Sequence, residues 1–111
     1  MDEPKLDFKD VLIKPNLSFI RSRKDVNLVR EFEFRNTETM LENIPIIAAN
    51  MDTVGTMDVF KVLRTYKIMT FFHKFVTLEE FKENKNLLEN NMDYFAVTIG
   101  LGGNELDRLE K

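Results

Sequence analysis

The sequence predicts an α/β fold built on a parallel sheet, and three observations carry that expectation. Three apolar runs, at 44–49, 68–72 and 94–99, have the length of strands. Helical patterns lie between the first and second runs and between the second and third. A last helical pattern follows the third run. Strand and helix therefore alternate over 44–111, the order that gives parallel strands joined by right-handed crossovers.

Residues 1–43 read as a separate segment with short strands, and 44–111 as three strand–helix units. Leu6-Asp7-Phe8-Lys9-Asp10-Val11-Leu12-Ile13 partly alternates. Any strand there stops at Lys14-Pro15, because proline cannot donate to a ladder. Ser18-Phe19-Ile20-Arg21-Ser22-Arg23-Lys24 is a polar, basic connection. In Arg30-Glu31-Phe32-Glu33-Phe34-Arg35-Asn36 the two phenylalanines fall on one face and the charges on the other. That is the period of a half-buried strand.

Ile44-Pro45-Ile46-Ile47-Ala48-Ala49 is apolar on both faces, as in a strand covered on two sides. Asn50-Met51-Asp52-Thr53-Val54-Gly55 is a loop with turn chemistry. Met57, Phe60 and Leu63, flanked by Val59, Val62 and Tyr66, form one helical face. Thr56 is placed to cap that helix, and Asp58 complements its dipole. Ile68-Met69-Thr70-Phe71-Phe72 is the second apolar strand. Thr77-Leu78-Glu79-Glu80 reads as a capping box, opening a helix that ends near Asn90-Asn91. Tyr94-Phe95-Ala96-Val97-Thr98-Ile99 leads into Gly100-Leu101-Gly102-Gly103. Asn104 is placed to cap a last helix bearing Leu106 and Leu109.

Composition narrows the function. Sixteen Lys and Arg against nineteen Asp and Glu give a net charge of −3. That mild acidity argues against nucleic acid or an anionic membrane as the main partner. A hydrophobic content of 43%, with 11% aromatics, favours a packed core over disorder. The absence of cysteine excludes disulfides, a thiolate metal site and a cysteine nucleophile within these residues. With a single histidine, nothing has metal-ligand spacing. The charged start argues against a secretory signal. The longest apolar stretch near the middle falls far short of the ~20 residues a spanning helix needs, so the expected location is cytoplasmic. Three apolar parallel strands leave two open edges and faces that 111 residues cover only in part. The expectation is the front of a longer chain rather than a complete small domain.

Ligands in parallel α/β folds gather at the carboxyl ends of strands. Three loops hold that position: Asn50–Gly55, His73–Val76 and Gly100–Gly103. Lys74 is a flexible cation on the ligand face, suited to a phosphate or a carboxamide-bearing cofactor, and its ordinary role is a solvated charge. His73 has the chemistry of an acid, base or donor, and its ordinary role is to hydrogen-bond a neighbouring loop. Met51 offers a thioether to a flat heterocycle, while Asp52 and Thr53 suit the turn itself. The glycines fail the dinucleotide fingerprint, because Glu105 stands at its third glycine position. Arg21, Ser22, Arg23 and Lys24 form the densest positive cluster, suited either to a phosphate or to solvent.

The stretch Ile44-Pro45-Ile46-Ile47-Ala48-Ala49-Asn50-Met51-Asp52-Thr53-Val54-Gly55-Thr56 resembles the first barrel strand and loop of GMP reductase. Lys5-Leu6-Asp7-Phe8-Lys9-Asp10-Val11-Leu12-Ile13-Lys14-Pro15 resembles that family's start. Ser22-Arg23, Phe32 with Phe34-Arg35-Asn36, and His73-Lys74 follow at matching separations. These motifs are shared by the superfamily of GMP reductase and IMP dehydrogenase. The Asn-Met-Asp-Thr-Val-Gly-Thr form favours the reductase.

The resemblance implies a (β/α)8 TIM barrel, which typically needs ~250 residues. This chain would hold an N-terminal extended segment and the first three βα units. The implied activity is NADPH-dependent reductive deamination of GMP to IMP and ammonia. In that family a cysteine attacks the purine, ammonia leaves and hydride arrives from the nicotinamide. Carried over residue by residue, Ser22, Arg23 and Lys74 match NADPH contacts, and Met51 matches a methionine near the purine nucleotide. On this match Arg23 and Lys74 are read as ligand contacts, while His73 and the glycines keep their structural reading. The family has His-Lys-His where this chain has His73-Lys74-Phe75. The implied assembly is a homotetramer. The catalytic cysteine, its threonine partner and the potassium site would lie beyond Lys111, which leaves this chain alone inactive. Two alternatives stand beside this reading: a fragment of IMP dehydrogenase, and a truncated non-catalytic chain that associates with full-length subunits.

Overall fold

In the computed structural model, which describes residues 2–101, the chain is exposed from Asp2 to Leu28. The extended piece expected over Leu6–Ile13 is broken by a 3-10 turn, Phe8–Asp10. The cause is local. The Asp7 carboxylate accepts the Phe8 amide at 2.7 Å, and the Asp10 carboxylate accepts the Asp7 amide at 3.0 Å. A second 3-10 turn, Arg23–Asp25, opens at Ser22.

Strands β1 (Arg30–Glu33) and β2 (Met40–Ala48) pair antiparallel, with Phe32 opposite Leu41. Strands β3 (Ile68–Phe72) and β4 (Phe95–Val97) add in parallel, giving the order β1-β2-β3-β4. The parallel arrangement expected from 44 onward is therefore present in β2, β3 and β4. The sheet as a whole is mixed, because pairing with β1 orders Met40–Asn43 ahead of the apolar run. Phe32 and Phe34 were expected on a half-buried face, yet they are 36% and 49% exposed. Phe32 lies on the edge strand and Phe34 just past its end, where a second layer is missing among the described residues.

The ladder between β2 and β3 runs from Ile44↔Ile68 to Ile47↔Met69, so β2 carries extra residues there. Pro45 lies inside that irregularity and has no N–H for the ladder. The two-sided cover expected for this strand is also corrected: Ile46 is 61% and Ile47 49% exposed. Helical cover reaches the neighbouring strand instead, where Phe72 is fully buried.

Helix α1 (Met57–Leu63) starts at Thr56, whose Oγ1 accepts the Val59 amide at 3.2 Å. Met57 and Phe60 are its buried residues, while Val62 and Tyr66 stay exposed. Thr77 Oγ1 accepts the Glu80 amide at 3.2 Å, forming half of the expected capping box. The single helix expected after it is two, α2 (Leu78–Glu83) and α3 (Lys85–Glu89). Asn84 divides them. Its Nδ2 donates to the Glu80 carbonyl at 2.9 Å, so side chain and backbone compete for one acceptor.

The core lies between these helices and β3. Met57, Phe60, Phe72, Val76 and Leu88 are buried, and Phe81, Leu87, Tyr94 and Phe95 pack against them. Phe60 meets Phe72 and Phe95 edge-on, with ring centroids 5.4 and 5.6 Å apart, and Phe72 meets Phe81 at 5.5 Å. Such pairs contribute ~0.5–1.5 kcal/mol each beyond the area they bury. The helix expected from Asn104, and Gly102-Gly103 before it, lie outside the described residues. Among those described, no helix is long and apolar enough to cross a membrane.

Candidate functional site

The parallel strands bring the segments after β2, β3 and β4 to one end of the sheet, and backbone and side-chain bonds tie them together. Met51 closes the first loop: its carbonyl accepts the Val54 amide at 3.0 Å and the Gly55 amide at 2.8 Å. The Gly55 carbonyl then accepts the His73 amide at 3.0 Å, joining this loop to the end of β3. Asn50 Nδ2 donates to Thr98 Oγ1 at 3.3 Å, joining it to the segment after β4.

Only glycine fits at position 55. A Cβ there would stand 2.8 Å from the Ala49 carbonyl oxygen and 3.2 Å from Asn50 Cα, and closer still to the Phe71 carbonyl oxygen. All three neighbours are backbone, so none can rotate aside. The residue joins the two strand ends by direct backbone contact.

Lys74 is exposed at the end of β3, with its Nζ 5.1 Å from the centroid of the Phe75 ring. The His73 side chain folds onto its own turn, where Nδ1 accepts the Phe75 amide at 3.1 Å. The bond from this residue to the neighbouring loop is made by its backbone amide. Met51 lies on the same end and is 58% exposed. Asp52 and Thr53 make no side-chain hydrogen bond among the described residues, and the helix cap falls to Thr56.

Ser22 and Arg23 lie apart in sequence on the exposed N-terminal segment. Ser22 Oγ accepts the Lys24 amide at 3.3 Å, which leaves its own proton to donate. Among the described residues the Arg23 guanidinium makes no ion pair or hydrogen bond. An open depression of about 350 Å³ lies elsewhere, lined by Glu31, Met40, Glu42, Asp93 and Tyr94. Three carboxylates make it unsuited to an anion, and Glu42 is engaged with Lys67 at 3.5 Å.

Lys74 and Met51 stand at the strand ends, whereas Ser22 and Arg23 stay on the exposed N-terminal segment, and no hydrogen bond or ion pair between described residues joins the two groups. No group of acidic residues and histidine among the described residues could hold a metal ion. Gly55 and the Asn50–Thr98 link were not singled out from the sequence. The signal for Gly55 was its place between a tight turn and the Thr56 cap, where the chain must leave one strand end beside another.

No protein-family model matches the chain. Curated relatives do. The chain is 44% identical over 110 residues to GMP reductase 2 of Bos taurus, covering 99% of this chain and 32% of that protein. It is 42% identical over 113 residues to GMP reductase of Onchocerca volvulus, covering 99% of this chain and 31% of that protein. It is 40% identical over 110 residues to GMP reductase 2 of Homo sapiens, covering 99% of this chain and 32% of that protein. The chain therefore spans about a third of the length of the relatives it matches. The resemblance first read from the motifs extends over nearly the whole chain.

Proposed function

We propose that this chain, similar along nearly all its length to about a third of several GMP reductases, is the N-terminal portion of such an enzyme. The whole enzyme would convert GMP to IMP and ammonia with NADPH as reductant. NADPH, when bound, supplies the hydride that replaces the departing amino group. The chain's own part is to hold that cofactor. Arg23 and Lys74 neutralise phosphate charge, and Ser22 donates a hydrogen bond to a phosphate oxygen. Met51 lies against the purine of the substrate. The observation that carries this reading is Lys74 exposed at the end of β3, in the same cluster of strand-end loops as Met51.

In this reading the parallel strands β2, β3 and β4 are the opening wall of a (β/α)8 barrel, and 1–43 is the segment that precedes it. The uncovered Ile46 and Ile47 are then surface that later barrel elements cover. The enzyme is a cytoplasmic homotetramer whose potassium site lies in sequence outside this chain. No cysteine is present, so the sulfur nucleophile must also come from elsewhere. Incubating this polypeptide with GMP and NADPH tests the division of labour. Absorbance of NADPH is expected to stay constant. Clear turnover would overturn the claim that the reacting group lies outside these residues.

A further inference from the structure

The turn that presents Lys74 is built on a hydrogen bond that the cofactor reading leaves unused. The Phe75 amide donates to His73 Nδ1 at 3.1 Å. A side-chain acceptor that takes the amide two residues later is the arrangement of an Asx turn, made here with an imidazole nitrogen. For Nδ1 to accept, it must carry no proton, so the ring hydrogen sits on Nε2. The His73 backbone is fixed as well. Its amide donates to the Gly55 carbonyl at 3.0 Å, and its carbonyl accepts the Val76 amide at 3.4 Å. Lys74 is the residue enclosed by this turn, and its ammonium stands 5.1 Å from the centroid of the ring of Phe75, whose backbone amide donates to His73.

We propose that His73 is a positioning residue: its Nδ1 lone pair sets the turn that aims the Lys74 ammonium at an anionic, phosphorylated ligand. The identity of the ligand rests on the NADPH reading above, whereas the turn rests on geometry alone. The proposal turns on one atom, so two substitutions separate it from a general need for a polar residue. Asparagine puts an acceptor oxygen near the position of Nδ1. Glutamine reaches toward the position of Nε2 and cannot close the turn.

The test uses the 111-residue chain labelled with 15N. Scalar coupling between the Phe75 amide nitrogen and His73 Nδ1 reports the bond directly. Ring 15N shifts report the tautomer, and NADPH is titrated into the same sample. The expected result is measurable coupling, an Nε2–H tautomer and NADPH binding. His73→Asn should keep affinity within about threefold, and His73→Gln should lower it about tenfold, the loss of one charge-assisted bond. The core resonances of Phe60 and Phe72 should be unchanged in both variants. Absent coupling or an Nδ1–H tautomer in the unsubstituted chain overturns the proposal, whether or not NADPH binds. Equal affinities of the two variants also overturn it. Coupling without NADPH binding refutes the cofactor reading and the ligand role of His73 with it, and the intact coupling distinguishes that failure from a failure of the turn.

Discussion

Replacing Gly55 with alanine places a single methyl group where three backbone atoms already stand. The Ala49 carbonyl oxygen and Asn50 Cα would be 2.8 and 3.2 Å from the new Cβ, and the Phe71 carbonyl oxygen closer than either. Ordinary contact needs about 3.5–4 Å. The ends of β2 and β3 must therefore move apart. Overpacking of this kind typically costs ~1–3 kcal/mol, and a clash with backbone belongs at the upper end of that range. Separation also strains two hydrogen bonds, Gly55 amide to Met51 carbonyl at 2.8 Å and His73 amide to Gly55 carbonyl at 3.0 Å. Each contributes ~0.5–1.5 kcal/mol net. The expected loss for Gly55→Ala is about 2–6 kcal/mol, a large share of the ~5–15 kcal/mol that holds a typical domain. Urea unfolding followed by circular dichroism measures it. A loss below about 1 kcal/mol would refute the claim that position 55 is a backbone contact between strand ends.

Two further outcomes follow from the packing and the backbone. Phe72→Ala removes a fully buried ring that meets Phe60 and Phe81 edge-on, and is expected to cost ~3–5 kcal/mol in the same unfolding assay. A cost near that of a surface change would show that the core lies elsewhere. Lys67 has φ 59° and ψ 37°, a left-handed conformation that costs a side-chain-bearing residue ~1–2 kcal/mol. Lys67→Gly relieves that strain and gives up an exposed pair with Glu42 worth at most ~1 kcal/mol. The variant is expected to melt at or above the temperature of the unsubstituted chain, and a clearly lower melting temperature would contradict the strain argument.

How far the sequence could be read depended on whether the deciding interaction was local. The caps at Thr56 and Thr77 were legible because an N-cap hydroxyl bonds an amide three residues away. The apolar runs marked β2, β3 and β4, since a strand-length apolar run favours a sheet whatever it pairs with, although Ile46 and Ile47 in β2 stay exposed. The split at Asn84 was missed because asparagine has two roles in a helix, and only the Glu80 carbonyl within reach decides between them. The antiparallel pairing of β1 with β2 was missed for a different reason. Glu42 and Asn43 are polar, and their place in the strand comes from the backbone ladder with β1, where Asn43 faces Arg30 and Glu42 faces the like-charged Glu31. At the strand ends, residue types located Lys74 and Met51. The contacts that join the loops did not show. Gly55 touches Phe71, and Asn50 reaches Thr98, across separations in sequence that no short motif spans.

If this chain performs the part of the GMP reductases it resembles, it should work in their place. A chimera tests it most directly: the matching third of GMP reductase 2 from Bos taurus replaced by these 111 residues. The account predicts NADPH-dependent conversion of GMP by the chimera. It also predicts that Lys74→Ala raises KM for NADPH by about tenfold with a smaller change in kcat, as expected when a charge-assisted contact to the cofactor is lost. A chimera that folds and assembles but leaves GMP unconverted, or a Lys74→Ala variant with an unchanged KM, would contradict it.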